Sequence, residues 1–258
     1  MRSFFKFARP QPSGPDAAQA RAPELQQAQL AAAVYGKRTQ GDLHDYIRVS
    51  PSRVLFALLD VAGRMDQNRA ILGAVQSTFR SCGPRLLAED DTNEADAMIE
   101  ICIRLNRAIL TAAGRVCSCT AFAGCYNENL GTVCYVNAGH TPGLLRDQSG
   151  VAELRATGLP LGLFSHSTPD ASIVALQPGA ALLLVSRGMV EARRKKVEFG
   201  LAQVKEVLTG TAAQTAEEIC ARLLGQVQQF LATKSAENDV TVLALARSST
   251  MKAFAAEI

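Results

Sequence analysis

The spacing of apolar residues changes several times along this chain, and each change marks an element. Val54-Leu55-Phe56-Ala57-Leu58-Leu59 runs without a polar break from Arg53 to Asp60. Such a run predicts a strand buried on both faces, with a carboxylate at its end. The period then becomes helical. Asp66 reads as the N-cap of a helix through Arg80, with Ala70, Ile71, Ala74, Val75, Thr78 and Phe79 on one side and Gly83-Pro84 as its stop. A second helix is predicted from Asn93 to Ala113, carrying Met98, Ile101, Cys102, Leu105, Ile109 and Leu110 at helical spacing.

From Ser118 onward alternation takes over. Cys119, Ala121, Ala123 and Cys125 alternate, then Thr132 to Asn137, with Gly131 at a turn, which predicts a β-hairpin. Leu144-Leu145 is read as a strand, Asp147 to Gly150 as a turn, and Ala171–Leu176 and Ala181–Ser186 as strands parted by Pro178-Gly179. Helices are predicted at Glu198–Leu208 and Thr215–Thr233, and a last strand at Val240–Ala246. Glu24 to Tyr35 reads as a short helix or linker, with Leu25, Ala28, Ala32 and Tyr35 on one face. Residues 1–23, rich in Pro, Ala and Gln, read as a flexible tail, and residues 249–258 as a C-terminal tail. The fold class is α+β, with antiparallel sheet and helices packed outside it.

Composition narrows the picture. At 258 residues and 48% apolar content the chain supports one sizeable core. A net charge of +3 argues against a nucleic-acid protein, and the Arg193-Arg194-Lys195-Lys196 cluster reads as a solvated loop. The seven cysteines contain no CxxC pair, so buried thiols in a reducing cytoplasm are expected rather than zinc ligands. No apolar stretch reaches the roughly 18 residues of a membrane span, and the basic, apolar start Met1–Phe7 is too short for a signal peptide.

Four segments carry candidate chemistry. Gly41-Asp42 and Asp60-Val61-Ala62-Gly63 offer carboxylates, whereas Ser186-Arg187-Gly188 and Asn238-Asp239 offer a cation and an amide. From the residues alone, Asp42 is equally a turn residue after Gly41, and Asp60 a strand-end cap.

In order, the chain shows Gln40-Gly41-Asp42, Asp60-Val61-Ala62-Gly63-Arg64-Met65, Asn137-Ala138-Gly139-His140-Thr141-Pro142 and Gly158-Leu159-Pro160-Leu161-Gly162. Pro178-Gly179-Ala180, Ser186-Arg187-Gly188-Met189-Val190-Glu191-Ala192-Arg193 and Asn238-Asp239-Val240-Thr241 follow. Over residues 36–248 this series resembles the type 2C (PPM-type) metal-dependent protein serine/threonine phosphatases, in their SpoIIE-like bacterial branch. The resemblance implies a four-layer α/β/β/α sandwich of two antiparallel sheets flanked by helices. It implies Mg or Mn held by Asp42, Asp60 and the backbone carbonyl of Val61, with Asn238 as a weaker candidate. Gly41, Gly63, Arg64, Gly188, Asp239 and His140 would shape the site, His140 by holding its loop through hydrogen bonds.

Four positions depart from the family pattern, the first two being Arg64 and Met65, which replace its His-Gly after Asp60. Arg187 and Asn238 stand where it has aspartates, which raises the formal charge of the site by about three units and sets a guanidinium against any divalent ion. Arg187 is instead expected to form a bidentate salt bridge with Asp60 or Asp42. The expected function is a catalytically impaired pseudophosphatase, in which the family's two-metal cluster does not form, that recognises a phosphoprotein or a partner of the anti-sigma-factor-antagonist type. The alternative is an active phosphatase with a one-metal site. Neither nucleic acid nor membrane is expected as a partner, and a homodimer stays open.

Overall fold

The computed structural model describes residues 22–36, 40–211, 215–232 and 238–249. The tails expected at 1–23 and 249–258 lie almost wholly outside them. In chain order the elements are β1 (Ala28–Tyr35), β2 (Gln40–Arg48), β3 (Arg53–Arg64), α1 (Met65–Leu87), α2 (Glu94–Ala113), β4 (Cys119–Asn127), β5 (Thr132–Ala138), β6 (Gly143–Asp147) and β7 (Gly150–Leu154). There follow β8 (Ser172–Ala175), β9 (Ala181–Val185), α3 (Arg187–Val190), β10 (Arg193–Arg194), β11 (Val197–Glu198), α4 (Gly200–Thr209), α5 (Ala216–Leu231) and β12 (Val240–Arg247).

Two five-stranded antiparallel sheets, ordered β1-β12-β9-β6-β7 and β2-β3-β4-β5-β8, lie face to face. Alternation along each strand sorts its side chains between two cores. On β3, Val54, Phe56 and Leu58 point between the sheets, where they meet Phe122, Leu182, Leu184 and Leu243. Leu55, Ala57, Leu59 and Val61 point outward beneath α1 and α2. On the far side, Val242 and Ala244 of β12 pack under Ile219, Leu223 and Val227 of α5. The result is the expected four-layer sandwich. A strand covered on both faces has no polar side to show, which is why β3 reads as an unbroken apolar run.

Helix ends follow local chemistry. Asn93 Oδ1 accepts from the backbone N–H groups of Ala95 and Asp96 to open α2, and Gly114 closes it at φ 59°. Thr215 and Glu218 form a reciprocal capping box on α5.

Three expectations fail here. Glu24–Tyr35 is not a helix. From Ala28 onward it is strand β1, paired residue by residue with β12 from Ala28↔Arg247 to Tyr35↔Val240. Ala28, Leu30 and Ala32 face the inter-sheet core, and Ala31, Ala33 and Tyr35 face α5. With alanine on both faces the alternation is invisible, and the long-range pairing decides the conformation. Helix α1 does not stop at Gly83-Pro84 but runs through Pro84 to Leu87. Proline forfeits one helical hydrogen bond, yet the added turn buries Leu87 completely, which offsets it. Asp66 lies inside α1, which begins at Met65, so it is not the N-cap.

Two ion pairs fasten the helices to the central sheet. Arg80 of α1 grips Asp45 of β2 with Nε and Nη2 at 2.7 and 2.6 Å. Arg53, at the start of β3, donates to Glu94 of α2 at 2.7 Å and to the carbonyls of Glu89 and Asp90, while Asn127 donates to the same Glu94 oxygen. All seven cysteines are free and buried: Cys82, Cys102, Cys117, Cys119, Cys125 and Cys134 in the α1/α2 core, and Cys220 under α5.

The Arg53–Glu94 pair is nearly inaccessible to water on both sides. Glu94→Ala should therefore cost about 3 kcal/mol, because it strands a buried guanidinium. Glu100→Ala, which breaks the exposed Arg104–Glu100 pair, should cost less than about 1 kcal/mol. Urea unfolding of both variants checks the contrast, and equal losses would refute it.

Candidate functional site

Strand parity assembles the site. Asp60 continues the inward series Phe56 and Leu58, and Asp42 is its direct cross-strand partner on β2. Thr241 continues the inward series of Leu243 and Leu245 on β12, and Ser186 extends that of Leu182 and Leu184 beyond β9. All four side chains are thus delivered to one end of the gap between the sheets.

They bond across that gap. Thr241 Oγ1 donates to Asp42 Oδ2 at 2.8 Å. Ser186 Oγ accepts from the Thr241 N–H at 3.0 Å and donates to the Asp239 carbonyl at 3.4 Å. Burial, and then the charge of Asp60, push the Asp42 carboxyl up to about 7, against the pull of its hydrogen bonds with Thr241 and Ser186. Asp60 is also raised, mainly by burial. Arg187 pulls it back and Glu191 pushes it further up.

Arg187 opens α3 and places Nε 3.3 Å from Asp60 Oδ2, with Glu191 Oε1 3.9 Å away on its other side. At this nearest approach the pair is an ion pair without the two parallel hydrogen bonds of the expected bidentate fork. The Arg187 side chain is 57% exposed, so the guanidinium lies at the mouth of the gap with much of its surface in water.

The glycines mark close backbone approaches. A Cβ on Gly41 would lie 2.0 Å from the Val61 carbonyl oxygen, and one on Gly188 would lie 2.0 Å from the Asp239 carbonyl and 3.2 Å from Asn238 Cβ. Only glycine fits either contact. Gly63 has φ 107°, also a glycine conformation. Asp239 is buried, whereas Asn238 is exposed in a bend beside Gly188. Arg64 ends β3 and Met65 opens α1, and their side chains lie outside the described part of the structure.

His140 sits behind the end of β9. Its N–H donates to Asn137 Oδ1 at 2.8 Å, and its Nδ1 lies 3.1 Å from the Thr141 carbonyl and 3.0 Å from Thr141 Oγ1. Thr141 Oγ1 in turn donates to the Val185 carbonyl, next to Ser186. The His140 Nε2 is buried without a hydrogen-bond partner among the described residues.

Sequence reasoning passed over three residues that the fold brings in. Asn68 of α1 is fully buried and donates from Nδ2 to the carbonyls of Val61 (3.4 Å) and Ala62 (3.0 Å). An amide next to the apolar stripe of α1 was its only signal. Thr241 and Glu191 were visible within their segments, but only the packed strands show what they touch.

A cluster of two divalent ions is the group the resemblance implies. The donor set does not fit it. Asp60 faces a guanidinium, Asp42 is bonded to a hydroxyl, the Val61 carbonyl is engaged by Asn68, and Asn238 is exposed. Among the described residues no group of three or more His, Cys, Asp or Glu is placed to hold a metal ion.

Residues 50–248 match the family described as Stage II sporulation protein E (SpoIIE). The chain is 24% identical over 250 residues to Protein IcfG of Synechocystis sp., covering 88% of this chain and 39% of that protein. The RsbU and RsbW domains of Rv1364c from Mycobacterium tuberculosis superpose with a TM-score of 0.71 at 22% identity, covering 89% of this chain and 64% of the other. The PP2C phosphatase domain of SpoIIE from Bacillus subtilis, solved with a fragment of its regulatory domain, gives a TM-score of 0.68 at 18% identity over 86% of this chain and 62% of the other. The chain thus spans less than two-thirds of each of these relatives.

The buried ring of His140 makes a pH prediction. Burial lowers its pKa to about 4 in the folded protein, whereas the unfolded chain titrates near 6.5. The unfolded state therefore takes up this proton first, and the contribution of His140 to stability falls as pH drops from about 6.5 toward 4, at up to about 1.4 kcal/mol per pH unit. Asp42, raised to about 7, has the opposite slope over the same range, so the His140 contribution is read as a difference: between pH 6 and pH 5 in urea, His140→Gln should lose less stability, or gain more, than the native protein. An unchanged slope in the variant would refute the assignment.

Proposed function

The chain belongs to the Stage II sporulation protein E (SpoIIE) family, and on that premise we propose that its phosphatase-type domain is catalytically impaired and serves to bind a phosphoregulated protein partner. The observation that carries this reading is the contact of Arg187 with Asp60, at a position where the family pattern has an aspartate. A cation there neutralises a carboxylate that would otherwise serve an ion. It also leaves an accessible guanidinium at the mouth of the gap, a group suited to phosphate oxygens. Asp42, Asp60, the Val61 carbonyl and Asn238 are what remains of the family's metal-binding set in this reading, with Gly41, Gly63, Gly188, Asp239 and His140 keeping its shape. The partner is a phosphoserine- or phosphothreonine-bearing protein of the anti-sigma-factor-antagonist type. The seven free thiols suit a reducing compartment, and we place this binding in the cytoplasm.

A second reading, an active phosphatase with one Mg or Mn ion, is favoured by the intact pairing of Asp42 with Asp60. Metal response separates the two. Under the first reading, the native protein hydrolyses p-nitrophenyl phosphate no faster with millimolar manganese than without it, and manganese leaves its Tm unchanged. Arg187→Asp combined with Asn238→Asp should restore a metal-dependent rise in Tm, worth about 2.7 kcal/mol when the ion is at a hundred times its Kd. Manganese-dependent turnover by the native protein, abolished by Asp60→Asn, would overturn the first reading and establish the second.

A further inference from the structure

Between α3 and α4 the chain makes a two-stranded hairpin, β10–β11, that belongs to neither large sheet. Its base is fixed. Ala192 and Phe199 are buried in the α5 core, the Phe199 N–H donates to the Ala192 carbonyl at 2.8 Å, and the Phe199 ring packs edge-on against Phe230 with centroids 5.4 Å apart. Arg193 and Glu198 pair across the strands and close the first rung. Beyond that rung every residue is exposed.

The exposed part is cationic. Arg194, Lys195 and Lys196 make no ion pair among the described residues. From Arg187 to Glu198 there are five cations and two carboxylates, so this segment alone carries an excess equal to the net charge of the whole chain. Lys195 occupies the left-handed region at φ 59°, where glycine or asparagine costs less. A charged side chain is thus held at a position whose backbone disfavours it.

We propose that this hairpin, with Arg187 at its root, is a docking surface for an acidic segment of a protein partner. The choice of a protein follows from three features. The cations lie beside an exposed apolar side chain, Val197, 62% accessible and paired with Arg194. The one aromatic ring of the hairpin's base, Phe199, is buried and offers no platform for stacking a base. The run Arg193 to Lys196 lies on a single arm of two two-residue strands, too short to track a nucleic-acid backbone. The arm follows α3 after only two residues, Glu191 and Ala192, and in this proposal the acidic chain extends from the arm to the Arg187 guanidinium. That last step rests on the proposed function, and the docking surface itself does not.

The test uses the full chain and three fluorescein-labelled peptides: alternating Glu and Ser, the same with one phosphoserine, and a neutral Gln/Ser control. Anisotropy should show binding of both acidic peptides and none of the control. Charge reversal in Arg194→Glu/Lys195→Glu/Lys196→Glu should weaken both acidic peptides at least tenfold, with an unchanged Tm. Lys195→Gly, which relieves the backbone, should leave Tm equal or higher and weaken both peptides about threefold. Equal affinity of the native and charge-reversed proteins would overturn the proposal, as would stronger binding of single-stranded DNA or anionic vesicles than of the acidic peptides. Arg187→Ala should remove only the preference for phosphoserine. If the native protein has no such preference while charge reversal still weakens binding, the phosphate reading of the site falls and the docking surface stands.

Discussion

Two carboxylates placed opposite each other on paired strands repel, and the end of this sandwich is arranged around that repulsion. Asp42 and Asp60 cannot move apart, because the β2–β3 register fixes them and β3 is buried on both faces. Each therefore meets a different compensation. Asp60 receives the charge of Arg187, and Asp42 receives the hydroxyl of Thr241 from the opposite sheet. The two sheets are consequently tied at their open end by polar contacts, while apolar side chains hold them together over the rest of their length. A guanidinium resting on Asp60 and a hydroxyl on Asp42 are local answers to that repulsion.

Much of this frame was legible in the sequence. The dense run of β3, the helical stripe of α2, the hairpin of β4 and β5 and the closing strand β12 all show their period, because each has one partner type on each face. What was hidden had a physical cause. In β1 alanine occupies both faces, so the pattern fits helix and strand alike, and only the pairing with β12 settles it. The strand β2 is rich in polar residues because it lies at a sheet edge and carries Asp42 and the Arg80-bound Asp45. Pro84 reads locally as a stop, but its helix is extended by the burial of Leu87.

The site was legible as a set of positions and not as a set of contacts. Asp42, Asp60 and Arg187 lie at one end of the sandwich, with Gly41 against Val61 and Gly188 against Asp239; chain order alone did not imply this grouping, which came from the family resemblance. That Arg187 would pair with Asp60 rather than Asp42 depends on where α3 begins relative to β9. Asn68 could not have been found from spacing, since its role is to hold carbonyls at the end of another element.

The distribution of thiols has a use that lies outside recognition or catalysis. Six of the seven sulfurs belong to the layer beneath α1 and α2, and one lies beneath α5. Burial pushes the Cys102 and Cys220 thiols up to about 12, so neither reacts until its layer opens. The two helical faces of the molecule are therefore labelled by nature with separate clocks. The order in which an alkylating reagent modifies these sulfurs records which half of the sandwich breathes first, without any engineered probe.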